Sequence, residues 1–463
     1  MSKKDKELRQ QVACEWLEQN YLNWGHLRHD IVTDRLQIRV ANLESSGVQE
    51  FRSSGVTSEQ AQSASEHLNS KASEPLNVSS ADLYWRNLTD KDINTMVCNC
   101  VAESQVNINV SEMWTALKSD LVPAVHPLRE WLNGLRPWSS SEPDWIDMVA
   151  QKVVVKGDGQ LAIGNRQEYW RKCFKKWFVA MVASWMKDEV VNHTVLVLVG
   201  RQGIYKTTWL DRLMPPELRA YSSKLPLSGQ ISKDDRLRLC ENGLLNIDEL
   251  DAICGREMNI VKSLLTSTDV NERAAYGRLK ERRVRLASFC ASTNNREFLT
   301  DITGNRRWVP FEVESIQNPF DDIILYERLY AQAKAYVECG YFAYWFDMDE
   351  IEVLEQHNEK FRALENEEEL LNVYFAVPAA DSMNSKFLTT AEISEKLISA
   401  GNIKRPMPLS RLGMILGQYG FIASRQGTPA RRGWIVYERD SEEINAERKL
   451  LSRTRIASTD SIF

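Results

Sequence analysis

The segment TVLVLVGRQGIYKTTWL, residues 194–210, restricts the possible folds more than any other part of the chain. Five consecutive aliphatic residues, Val195 to Val199, run into a glycine-bearing turn and leave it as Lys206-Thr207. An apolar run without alternation describes a strand buried on both faces, as in a parallel sheet flanked by helices. Three further runs of this kind follow, GLLNIDEL (243–250), VRLASFCAST (284–293) and RRWVPFEV (306–313), separated by stretches of helical character. The expected fold class of the central region is therefore α/β.

The turn has its own chemistry. The loop from Gly200 to Tyr205 would wrap backbone N–H groups around phosphates, with Gly200, Gly203, Tyr205 and Thr208 among the binding residues. Lys206 would reach the β- and γ-phosphates of ATP, and Thr207 would ligate Mg²⁺. The pattern G-x-x-x-x-G-K-[ST] is departed from at one place, Tyr205, where a bulky side chain replaces the second glycine. Such a residue is disfavoured where positive φ is needed, and Gly203 is the nearest source of flexibility. The second strand ends in Asp248-Glu249. Asp248 can hold the magnesium water shell, and Glu249 can activate the attacking water. The third strand ends in Ser292, Thr293, Asn294 and Asn295, which places Asn294 to sense a γ-phosphate. Taken singly, these pieces read as a plain βα loop or a helix cap. Together and in order, each at a strand's C-terminal edge, they describe a nucleotide crevice. Arg306 and Arg307 precede the fourth strand, either paired with acidic neighbours or acting as an arginine finger on an adjacent subunit.

Length, 463 residues, suggests about three domains. The 43% hydrophobic content excludes disorder of the whole chain. Charges of 58 basic against 64 acidic give a net of −6, so attraction to nucleic acid must come from local clusters. The eight cysteines are scattered, with only Cys98 and Cys100 close together, and read as reduced thiols. The first residues, MSKKDKELRQ, lead into no apolar h-region, and no apolar run approaches the ~18 residues of a membrane span, so a cytoplasmic protein without membrane contact is expected.

Composition divides the chain further. Residues 1–43 read as a helix followed by the strand-like IVTDRLQIRV, and residues 44–80 as a serine-rich flexible insertion. Residues 81–189 read as a helical domain, with a Thr89–Asp92 capping box and a helical stretch over 110–136. Within it, Tyr169, Trp170, Phe174, Trp177, Phe178, Met181 and Trp185 recur at helical spacing, a pattern read as core. The nucleotide-binding core covers 190–345. Residues 346–385 read as a solvated connecting helix with an apolar stripe of Ile351, Leu354, Phe361 and Leu364. Residues 386–440 form a compact unit, and 441–463 a basic tail. In that unit a helix with a Thr389–Glu392 capping box, a second helix and a hairpin carrying Arg425, Arg431 and Arg432 follow a winged-helix pattern. Such modules contact DNA or proteins. The segment NERAAYGRLKERRVR carries Arg273, Arg278, Lys280, Arg282, Arg283 and Arg285 around Gly277, either a solvated basic face or a hairpin for nucleic acid.

The stretches GRQGIYKTT, IDEL, VKSLLTSTDVNERAAYGR, ASTNNREFL and TGNRRWVPFEV resemble the virulence-associated protein E family of P-loop proteins. That family is itself similar to the superfamily 3 helicases of phages, plasmids and viruses. Upstream, WRNLTDKDIN and HPLREWLNGL look like the family's helical N-terminal part, so the resemblance spans roughly residues 80–315. It implies an AAA+-like, superfamily 3 P-loop core with a helical N-terminal region, to which the pattern of residues 386–440 adds a C-terminal winged helix. It also implies ATP hydrolysis with Mg²⁺, a hexameric ring, and a basic hairpin tip (Arg278, Lys280, Arg282, Arg283) following single-stranded DNA through a central pore. The expected activity is an ATP-dependent DNA helicase or translocase in the replication of a mobile element. No primase-like metal constellation occurs in the N-terminal 190 residues, so priming would need a separate primase or initiator. The alternatives are an ATP-switched DNA-binding regulator or defence component without unwinding, and a structural P-loop protein.

Overall fold

The computed structural model describes residues 3–41, 83–157, 165–225, 232–248, 250, 255–272, 281–299, 305–363, 366–378, 385–401, 403 and 406–459. The serine-rich segment 44–80 lies outside the described residues. The chain divides into a first compact unit ending at Gly134 and a second beginning at Leu135.

In the first unit, helix α1 (Lys3–Leu17) runs through a π-helical turn into strands β1 (Leu27–Asp30), β2 (Arg35–Ala41) and β3 (Leu83–Asn87). Helices α2 (Asp90–Ser104) and α3 (Val110–Leu117), strand β4 (Ala124–Val125) and helix α4 (Pro127–Asn133) follow. The sheet order is β3-β2-β1-β4, with the β1–β4 pair parallel. Trp16, Leu17, Leu27, Ile93, Met96, Met113 and Leu117 make its core. The Thr89–Asp92 capping box opens α2 as expected. The stretch IVTDRLQIRV is a turn and then a strand. The Asp30 carboxylate accepts from Val32 N at 2.9 Å and Thr33 Oγ1 at 2.6 Å, folding the chain back before Arg35. The stretch 110–136 likewise breaks into α3, β4 and α4.

The second unit opens with α5 (Trp145–Ala150), β5 (Val153–Val155), α6 (Arg166–Met186), β6 (Val195–Val199), α7 (Lys206–Asp211), β7 (Ser222–Lys224), α8 (Lys233–Glu241) and β8 (Leu244–Ile247). It continues through α9 (Gly255–Thr266), the hairpin β9 (Asp269–Glu272) and β10 (Glu281–Val284), then β11 (Ser288–Thr293), β12 (Trp308–Ile316) and α10 (Tyr326–Cys339). The central sheet runs β5-β12-β6-β11-β8-β7, parallel throughout except for β5 at its edge. All five residues of β6 are buried, as an unalternating apolar strand in a covered sheet must be.

Helix α6 carries the aromatic stripe into this core. Trp177 and Trp185 donate their indole N–H to Phe289 O and Gly243 O, each at 3.1 Å, so two large apolar bodies are buried without orphaning their polar atoms.

The acidic stretch expected to be one solvated connecting helix is instead two packed elements, α11 (Met348–Asn358) and α12 (Asn366–Tyr374), joined through a 3₁₀ turn at Glu359–Phe361. Leu354, His357, Asn358 and Phe361 are all buried. His357 Nε2 donates to Pro310 O at 2.7 Å, and Asn358 Nδ2 donates to Asn305 O at 2.8 Å and Trp308 O at 2.9 Å. The abundant carboxylates conceal this polar attachment to β12. Leu364 lies outside the described residues.

Beyond it, β13 (Phe375–Ala376), β14 (Ser385–Leu388), α13 (Thr390–Gly401), α14 (Leu409–Gln418), β15 (Ile422–Gln426) and β16 (Arg431–Glu438) form a small α/β unit. Strand β16 pairs antiparallel with β13, β14 and β15. The Thr389–Glu392 capping box is formed. Gly413 and Gly417 on α14 face the Trp434 ring, which lies at ordinary contact distance, 3.9 and 3.8 Å, from where their Cβ atoms would stand. The stretch expected to be a tail is helical as α15 (Ser441–Thr459), opened by Asp440, whose carboxylate accepts from the N–H of Glu442 and Glu443 at 2.9 Å. Among the described residues no helix is long and apolar enough to cross a membrane.

Candidate functional site

The site assembles at the C-terminal edges of β6, β11 and β8, which are adjacent because β11 pairs in parallel with both others. From β6 the chain enters Gly200, whose N–H bonds to Thr293 O at 3.1 Å. A Cβ there would stand 2.8 Å from Val313 O, so close approach to β12 demands glycine. Gly203 has φ +85° and Tyr205 has φ +66°, a left-handed conformation. The positive φ that the glycine pattern anticipates is thus present at 205, carried by a tyrosine. Its ring turns to the surface, 40% exposed, with its centroid 6.4 Å from that of Phe320.

Lys206, the first residue of α7, is buried and folds back over the loop. Its ammonium donates to Gly200 O and Arg201 O at 2.7 Å and to Asn294 Oδ1 at 3.0 Å. The lysine of the turn and the asparagine after the third strand, 88 residues apart, are therefore in direct contact. Thr207 Oγ1 donates to Asp248 Oδ1 at 3.1 Å and lies 3.0 Å from Ser292 Oγ. Ser292 Oγ also donates to the same carboxylate oxygen at 3.2 Å. Thr208 is half-buried in the first turn of α7. Burial pushes the Asp248 carboxyl upward, but hydrogen bonds from Lys224, Thr207 and Ser292 outweigh it and hold its pKa below the ordinary value. Asp248 is thus a carboxylate at neutral pH. Glu249, the expected general base, lies outside the described residues.

Lys224 was not legible in the sequence. Its ammonium sits 2.6 Å from Asp248 Oδ2. It closes the short polar strand β7, whose parallel pairing sets Lys224 beside Asn246 on β8. Nothing in Ser-Ser-Lys announces a strand, so only the sheet order reveals this neighbour. Asn246 in turn donates to Asp211 Oδ1 at 2.7 Å, tying β8 to the end of α7.

Arg306 and Arg307 sit at the opposite end of the sheet. They occupy a 3₁₀ turn before β12, where Trp308 pairs with Val195 and Glu312 with Val199. Along the strand that places them about 20 Å from Gly200. Arg306 is exposed, and neither arginine makes an ion pair among the described residues. Burial and the nearby Arg307 push the Lys262 ammonium of α9 down to about 8. Asn358, also missed, fixes the turn from behind through Asn305 O and Trp308 O.

The basic segment after α9 does form an antiparallel hairpin, β9 with β10, while Arg273, Arg278 and Lys280 lie outside the described residues. Arg282 is exposed and pairs with Asp269 at 2.9 Å, whereas Arg283 is mostly buried against Glu241 at 3.3 Å. Arg285 is no part of a solvent-facing cluster. Fully buried, it donates to the carbonyls of Asn192, Leu264, Leu265, Ser267 and Ala287 at 2.7–3.3 Å. Burial pushes its guanidinium pKa down to about 9. In the C-terminal unit Arg425, Arg431 and Arg432 are exposed, with Arg425 directly opposite Arg432 on the hairpin and Arg431 3.6 Å from Glu392.

Parallel strands in this order, with a lysine-threonine turn after one, an acid after another and a polar residue after the third, define a P-loop α/β domain. Residues 155–363 match the virulence-associated protein E-like domain family. Among solved structures, the chain is similar to an A-form apo structure of the NrS-1 C-terminal region. Identity is 10% over 91% of this chain and 99% of that one, with a TM-score of 0.42. A second apo structure of the same region gives 9% identity over 89% and 96% of the two chains, with a TM-score of 0.41. No curated protein matches the chain.

Proposed function

We propose that this chain is an ATP-dependent DNA translocase or helicase of the superfamily 3 type, acting in the replication of a mobile genetic element. The observation that carries the reading is the convergence of Lys206, Thr207, Asp248, Ser292 and Asn294 at three neighbouring strand edges. Lys206 neutralises the β- and γ-phosphates, and the Asn294 amide, already on the Lys206 ammonium, senses the γ-phosphate. Glu249, next to Asp248 in the chain, orients and deprotonates the attacking water.

Thr207 and Asp248 suit Mg²⁺, since they offer a hydroxyl and an ionised carboxylate 3.1 Å apart, hard oxygen donors of the kind that ion takes. They would hold the ion, which when bound neutralises charge on the phosphates. Arg306 and Arg307 lie too far from their own Lys206 to serve it, which supports action on a neighbouring subunit in a ring, with six copies the expected number. The hairpin β9–β10 would carry Arg278, Lys280, Arg282 and Arg283 toward single-stranded DNA, although the ion pairs of the latter two weaken their share. The C-terminal unit, with β14, two helices and the β15–β16 hairpin, is read as a winged helix. Arg425 and Arg432, opposed on that hairpin, repel each other until a phosphate lies between them.

The test is ATP turnover with and without single-stranded DNA. Stimulation by DNA that disappears in Glu249→Gln supports a motor. ATP binding without turnover in the unaltered protein refutes it and favours a nucleotide-switched DNA-binding regulator.

A further inference from the structure

A tyrosine held at φ +66° in the phosphate loop is sterically disfavoured, and such residues persist where the surroundings give them something to do. Tyr205 contacts a second aromatic ring. Phe320, in the segment leaving the C-terminal end of β12, meets it edge to face at 78°, and is itself 70% exposed. That segment is anchored at several points. Asn318 Oδ1 accepts from Phe320 N at 3.2 Å, and Arg212 donates to Asp322 O at 3.2 Å. Tyr326 donates its hydroxyl to Arg212 O at 2.6 Å, and the Arg212 guanidinium lies 5.8 Å from the centre of the Phe320 ring. Arg212 is the C-cap of α7, so the helix that begins with Lys206 also fixes Phe320 at its far end. Because β12 is the parallel neighbour of β6, its exit lies beside the loop that leaves β6.

Two rings set near a right angle, both open to solvent, one of them next in sequence to the phosphate-binding lysine, form a corner for a flat heterocycle. We propose that Tyr205 and Phe320 are the nucleobase platform of this site, one ring stacking on the base and the other meeting its edge. The assignment rests on the nucleotide reading of Lys206. It gives the departure from the glycine pattern a purpose, since the side chain that strains the loop also supplies half of the base site. Stacking is governed by ring area, so ATP and GTP bind more tightly than UTP.

The experiment is calorimetric titration of ATP, UTP and inorganic tripolyphosphate, all with Mg²⁺, into the full chain and its variants. Phe320→Ala, at an exposed position outside the core, weakens ATP about tenfold, leaves tripolyphosphate unchanged and reduces the preference for ATP over UTP. Tyr205→Ala likewise reduces the preference for ATP over UTP. The platform is overturned if Phe320→Ala leaves ATP affinity unaltered, or lowers ATP and tripolyphosphate equally. If the unaltered protein binds neither, or if Lys206→Ala changes neither affinity, the nucleotide reading itself is wrong, an outcome distinct from failure of the platform alone.

Discussion

Protonation of His357 should weaken the fold across a pH window that can be stated in advance. Its ring is buried among Tyr169, Phe311 and Phe361, with centroids 5.0–5.6 Å away. Nε2 donates to Pro310 O, and Nδ1 is buried without a partner. Burial, reinforced by Lys360, pushes its pKa down to about 3 from an ordinary 6.5. The folded state therefore holds the neutral ring, while the unfolded chain takes up a proton once the pH falls below about 6.5. The stabilisation is complete above that value and is lost progressively as the pH drops toward 3. One pH unit corresponds to about 1.4 kcal/mol, so acidification from pH 6.5 to 5 should cost about 2 kcal/mol. With a urea m-value of about 2 kcal/mol per molar, the midpoint should fall by about 1 M. His357→Gln keeps a donor for Pro310 O and does not titrate. It is less stable at pH 7 but should lack this additional loss at pH 5. Tryptophan-fluorescence urea titrations of both proteins at pH 7, 6 and 5 make the comparison, since all other titrating groups are common to the pair. An equal loss in both would refute the assignment. Asn358 follows His357 and holds the turn bearing Arg306 and Arg307, so the same acid step should loosen those arginines.

Three further outcomes are expected. Arg285→Met strands five buried carbonyls and should cost about 3–5 kcal/mol in chemical denaturation, with Arg285→Lys recovering part of it. Tyr205→Gly relieves the left-handed strain and should stabilise the protein by about 1 kcal/mol, seen as a higher Tm. Asp248→Asn removes the carboxylate facing Thr207, so ATP binding should no longer tighten on adding Mg²⁺; titrations with the metal and with EDTA compare the two conditions.

The parts of the molecule legible in the sequence are those set by short-range rules. The largely apolar, unalternating runs at 195–199, 244–247, 288–293 and 308–313 are parallel strands because burial on both faces favours apolar residues at successive positions. The Lys206–Asn294 and Thr207–Asp248 pairs follow from strand ends meeting at one edge. Polar residues with buried roles were not legible. Arg285 belongs by composition to a basic surface run, yet it is fully buried among carbonyls, and only the path of α9 makes that cage. His357 and Asn358 stand in an acidic stretch whose charge conceals two inward-facing polar side chains. Lys224 needs the sheet order before its proximity to Asp248 is visible. The turn made by Asp30 depends on a side-chain hydrogen bond that apolar periodicity does not register.

Strand β12 is a rod of nine residues, about 30 Å long. One tip follows the turn bearing the guanidinium pair and the other leads into the segment carrying Phe320; β6 pairs with its first five residues and β5 with the end beyond them. In the proposed ring, this one strand would therefore connect the corner that receives one subunit's nucleobase to the guanidinium pair offered to the next.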